Sequence, residues 1–144
     1  MPIKSFRGLI ADNMQQTIHL HTNDGSIGYK IVKFECMQDG FGNSEMVIKI
    51  YKTEQTTIDN VIDFSDNTLL GACMISGSSS GEANPEDRSI IFDNEIFNQD
   101  IYITAAVSSS ADPTNYYIEL EQMKLDLNEN TVATLKDIRN IASQ

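Results

Sequence analysis

The chain has 144 residues, 40% hydrophobic and 22% charged, which suits one folded domain and excludes a disordered chain. Acidic residues outnumber basic ones by 21 to 10, so a polyanion such as nucleic acid is excluded as a natural partner. No run of 18 apolar residues exists to span a membrane, and the opening M-P-I-K-S-F-R-G-L-I-A-D lacks the apolar core of a secretory leader.

Residues 1–8 carry Lys4 and Arg7 and no acid, ahead of the first clear alternation. They read as an N-terminal arm, with Phe6 as its apolar anchor and the two cations steering it towards acidic groups on a partner. The competing reading makes Phe6, Leu9 and Ile10 an edge strand of the domain itself. From Gln15 to Thr22, Ile18 and Leu20 share one face and His19 and His21 the other, as in a half-buried strand. Asn23-Asp24-Gly25-Ser26 is a hairpin signal, because glycine takes positive φ without a Cβ clash. The return strand, Ile27 to Met37, changes phase between Ile31 and Val32, so a bulge falls there or both faces are covered.

Gly40 and Gly42 mark the next turn, followed by a strand from Met46 to about Thr53. Glu54 to Asn67 is polar. Thr68 to Ser76 is short and almost continuously apolar, which predicts a central strand covered on both sides. Residues 77–89, rich in Ser and Gly, read as an exposed loop. Further strands are predicted at Ser89–Phe92, Asp100–Val107 and Tyr116–Leu127, the last shifting phase after Leu120 as a second bulge would. The tail changes period: Val132, Leu135, Ile138 and Ile141 recur every three residues, predicting a short helix over 130–142 capped by Asn130. Seven or eight strands and one short helix imply a single, mainly β domain, an antiparallel sandwich or jelly roll.

Charge is unevenly placed along this order. Residues 1–52 hold five acids and six bases, whereas residues 53–144 hold 16 acids and four bases. Such asymmetry can separate a docking surface from a solvated one. Cys36 and Cys73 are too far apart for a Cys-x-x-Cys pair, and each lies in an apolar stretch. They read as two reduced core thiols, with a bridge open if their strands are neighbours.

Candidate chemistry is sparse. His19-x-His21 places two imidazoles about 7 Å apart on one strand face, a spacing used by jelly-roll metalloenzymes. There is no third histidine and no acid identifiable by spacing, so the pair reads as solvated and no metal or cofactor is expected. Oxygen-bearing side chains crowd residues 93–100 but lack the rhythm of a calcium loop. No nucleophile elbow or phosphate-binding glycine loop occurs, and no catalytic residue is assigned. There is no Trp, and the five tyrosines occupy strand positions suited to packing rather than sugar stacking.

Several stretches carry a resemblance: F-R-G-L-I-A-D at 6–12, Q-Q-T-I-H-L at 15–20, G-Y-K-I-V-K-F-E at 28–35 and V-I-K-I-Y-K-T-E-Q at 47–55. Further on come I-D-F-S-D-N-T-L-L at 62–70, F-N-Q-D-I-Y-I-T at 97–104 and Y-Y-I-E-L-E-Q-M-K-L at 116–125. Together they resemble small virion-associated proteins of marine tailed bacteriophages. The resemblance implies a structural virion protein, a capsid decoration (cement) protein that bridges coat subunits, often as a trimer. It also implies assembly in the bacterial host cytoplasm and the major capsid protein or other virion proteins as partners. A neck, tail or baseplate component and a glycan-binding or cupin-like module are the alternatives.

Overall fold

In a computed structural model, residues 2–22, 25–40, 45–75, 87–92, 94–108, 112–126 and 135 are described. Among them are eight strands: β1 (Ile3–Ile10), β2 (Met14–Ile18), β3 (Ile27–Gln38), β4 (Met46–Tyr51), β5 (Leu69–Ile75), β6 (Asp87–Ile91), β7 (Ile101–Val107) and β8 (Thr114–Lys124). They form two antiparallel sheets, one of three strands in the order β1-β8-β3 and one of five in the order β2-β7-β4-β5-β6. The protein is mainly β. The helix expected over 130–142 lies, but for residue 135, outside the described residues, as does most of the loop expected over 77–89. Residues 87–89 correct that loop's end, since β6 already pairs with β5 there.

The sheets share one core. Ile31, Phe34, Cys36, Tyr116, Ile118 and Leu120 from the smaller sheet meet Ile48, Ile50, Cys73, Ile101, Ile103 and Ala105 from the larger. Period-two alternation supplies these faces, and burying a side chain of this size contributes roughly 1.5–3 kcal/mol before entropy is counted. The phase change in β3 is a bulge: register shifts between Ile31 and Lys33, leaving Val32 as the extra, exposed residue. Phe34 and Cys36 therefore return to the face of Ile31, and all three are buried. The second bulge, expected in β8, is absent: no residue of β8 is skipped along β1 as far as Glu121 or along β3 as far as Lys124. Met123 and Leu125, which suggested it, continue the ladder with β3 and lie on its outer face, where Leu125 covers Gly28.

Two local expectations are corrected by the topology. The strand expected over Gln15–Thr22 ends at Ile18, and the turn after it makes no hairpin. Gly25 does adopt a φ of 66°, but β2 pairs with β7 and β3 with β8, so the turn carries the chain between sheets. The segment 1–8 is likewise no free arm. Ile3–Ile10 pairs along its whole length with β8, as the competing edge-strand reading held. Ile10, fully buried, and Phe6, packed on the core, tie it down. Gly8 is needed there, because a Cβ would fall 2.6 Å from the Tyr116 hydroxyl.

β5 is covered on both faces as predicted, apart from exposed Met74, and β4 beside it is buried at all six positions. The polar segment from Lys52 to Thr68 accounts for the outer cover. Lys49 reaches from β4 into that segment, where it bonds Asp59 and the carbonyl of Val61.

Candidate functional site

The cations expected to dock, Lys4 and Arg7, sit on the edge strand of the smaller sheet, with Phe6 between them. Pairing sets their directions. Lys4 and Phe6 stand opposite Leu120 and Ile118 on the core-facing side, whereas Arg7 stands opposite Tyr117 on the outer side. The ring of Phe6 is committed to the core, and the Lys4 ammonium lies 5.9 Å from the centre of the Tyr29 ring. The three residues thus share a strand but not a face. Both cations remain exposed.

The backbone of β1 adds a second feature. Gln122 N–H donates to the Pro2 carbonyl at 2.9 Å. In antiparallel pairing, that bond turns the N–H and C=O groups of Ile3, Ser5 and Arg7 away from β8, towards the open edge. The next carbonyl in this series, Leu9, is taken by Gln16 Nε2 at 3.0 Å. An exposed strand edge from Ile3 to Arg7, with two cations and no acid, is the arrangement best suited to receiving another chain.

The histidine pair has a partner that no local spacing announced. Asp100, just before β7, lies 2.7 Å from His21 Nδ1 and 3.3 Å from His19 Nδ1. It also accepts the backbone N–H groups of Leu20 (2.8 Å) and His21 (3.0 Å). Burial pushes this carboxyl up, but the bonds from His21, Leu20 and His19 outweigh it and hold it at about 2. The carboxylate fastens the strand-to-turn segment after β2 onto β7. Both imidazoles remain largely exposed, at 77% and 56%. Among the described residues no three His, Cys, Asp or Glu side chains are grouped to hold a metal. In the 94–100 stretch, Glu95 bonds Lys52, Asn98 is buried against the Gly25 carbonyl, and Asp100 is engaged as above.

Three further features complete the picture, the first two with no signal in the sequence and the third left open by it. Lys49 and Lys52 are almost wholly buried, bonded at 2.9 Å to Asp59 and Glu95 respectively. Desolvation lowers the Lys49 pKa, but bonds to Tyr51 and Asp59 prevail and raise it, so the ammonium stays charged. Beside Asp59 a groove of about 380 Å³ opens, floored by Met46, Val47 and Met74 and rimmed by Glu45. Finally, Cys36 and Cys73 are not reduced thiols: they form a disulfide, with Cα atoms 6.4 Å apart. Their strands are neighbours across the core, one in each sheet.

No protein family matches the chain, and no curated protein is similar to it in sequence.

Proposed function

We propose that this protein is a non-enzymatic structural component of a tailed-phage virion, a capsid decoration protein that joins neighbouring subunits of the particle. The observation that carries the reading is the β1 edge, open among the described residues, where Lys4 and Arg7 flank backbone groups that no described strand pairs. Self-pairing of that edge is disfavoured, because it would bring together two copies of the same cationic, acid-free strand. An acidic strand of another virion protein, such as the major capsid protein, fits it better.

The fold supports the same reading. The orders β1-β8-β3 and β2-β7-β4-β5, with β6 bonded to β5 while approaching β3, support reading the two sheets as a jelly-roll sandwich. Jelly rolls build capsid domains, lectins and cupins alike, so the architecture alone does not choose among them. The histidine pair faces solvent rather than the core, which weighs against the cupin alternative. The disulfide fits a finished particle outside the cell, since such bonds are rare in reducing cytoplasm, where assembly would begin.

Mass spectrometry and cryo-electron microscopy of purified particles test the proposal. A copy number close to that of the coat subunits, with β1 against the coat, is expected. A few copies at the neck or tail would reassign the protein within the particle, and absence from particles would refute the reading. Lys4→Glu with Arg7→Glu should melt like the parent protein and lose particle binding.

A further inference from the structure

We propose that Cys36 and Cys73 form a thiol–disulfide exchange site that closes after the two sheets have come together, turning a noncovalent contact into a covalent one. Each cysteine is placed by backbone pairing that does not involve the bridge. Cys36 stands opposite Tyr116 in the β3–β8 ladder, and Cys73 lies between Ile48 of β4 and Ser89 of β6. The apolar side chains around them already join the sheets, among them Phe34, Ile48, Ile75 and Ile118. A reduced chain therefore has both the registers and the core that bring the thiols face to face.

The pair is also reachable from outside. Each cysteine is nearly buried, at 4% and 1% exposure, yet both line a surface crevice of about 100 Å³ with Glu35, Arg88 and Ser89. Arg88 is the one cation among these lining residues. A positive charge beside a thiol favours the thiolate, which is the species that attacks a disulfide. Glu35 acts in the opposite sense and keeps the site from being strongly activated.

The oxidant is a low-molecular-weight disulfide. One cysteine gives up its proton and attacks one sulfur of that reagent, breaking its S–S bond, expelling one thiolate and leaving a mixed disulfide on the protein. The second cysteine, as thiolate, attacks the protein sulfur and expels the other half of the reagent. Two electrons and two protons leave the protein, and the reagent ends as two thiols. The inference stands apart from the particle reading, because it requires only an oxidising exterior.

The test uses the full chain, reduced and then returned to native buffer with oxidised glutathione, with closure followed by alkylation and mass. The reduced chain should keep its β spectrum and melt cooperatively, at a lower temperature than the bridged one. Closure should speed up in proportion to glutathione concentration. Ser89→Trp, which fills the crevice, and Arg88→Glu, which repels the thiolate and the anionic reagent, should each slow it several-fold. Arg88→Glu, at an exposed position, carries the test if Ser89→Trp does not fold. An unfolded reduced chain would overturn the proposal. So would a closure rate that ignores glutathione concentration and equals the unfolding rate, or one unaltered by the foldable variants.

Discussion

The two sheets are built from the same alternating pattern, yet their outer faces differ in kind. On the three-stranded sheet, the outer side chains of β1, β8 and β3 meet solvent. There Lys30 lies 3.7 Å from Glu121, and Lys33 3.9 Å from Glu35, in partly exposed pairs. On the five-stranded sheet, the segment between β4 and β5 folds over the outer face, so Lys49 lies almost wholly buried against Asp59 and the Val61 carbonyl. The same residue type is a solvated ornament on one face and a structural tie on the other. Burial of the surroundings, rather than the ion pair itself, sets its weight, because water screens the first kind and is excluded from the second.

The largest effect should come from the link between the sheets. Reducing Cys36–Cys73 opens a loop with a sequence separation of 37 residues. The chain-entropy relation puts the loss near 4 kcal/mol, if the reduced state gains no compensating contacts. Calorimetry with and without reductant measures it, and the Cys36→Ser, Cys73→Ser pair should lie close to the reduced protein. A change below about 1 kcal/mol would mean that the core alone holds the sheets together.

Next comes Asp59→Asn, which strands the Lys49 ammonium beneath its covering segment. Removing one partner of a buried pair costs about 3–5 kcal/mol, but the side chain of Asp59 is 53% exposed and the Val61 carbonyl still bonds Lys49. A loss of roughly 2 kcal/mol in denaturant unfolding is therefore expected. Equality with the variant of the other face, below, would erase the contrast between the sheets.

A third effect depends on pH. The Asp100 carboxyl is lowered from 3.8 to about 2 in the folded chain, so its stabilisation is fully present above 3.8 and is lost as pH falls through 2. The amount is on the order of 2 kcal/mol. Asp100→Asn should remove most of this acid dependence, measured as the difference between unfolding curves near neutral pH and in acid. An unchanged slope would show that the bonds to His21 and Leu20 persist in the unfolded chain or are not formed. The smallest effect belongs to the solvated face. Glu121→Gln should alter stability by about 0–1 kcal/mol and lose even that in high salt.

Much of the fold was legible because a strand with one buried face writes its period into the residues. The β3 bulge shows this well: Ile31, Phe34 and Cys36 can share a core only if one residue between them is skipped, and Val32 is that residue. The central position of β5 was legible from an uninterrupted apolar run. The β8 bulge failed by the same logic. Met123 and Leu125 stay in the ladder with β3 but lie on its outer face, where Leu125 covers Gly28, and a change of phase does not distinguish a bulge from apolar residues on the outer face.

What the residues alone determined is a mainly β chain with alternating faces, turns at glycine and asparagine, and a cationic opening followed by an acidic remainder. Only the tertiary structure decided that the opening is an edge strand, that the Asp-Gly turn joins different sheets, and that Asp100 meets residues some 80 positions away. It also decided that Lys49 is buried and that the two cysteines meet across the core. Period and turn chemistry are local, set by the pleat and by allowed backbone angles. Which strand lies beside which, and what covers an outer face, depends on side chains far apart in sequence burying one another, and no local spacing records that.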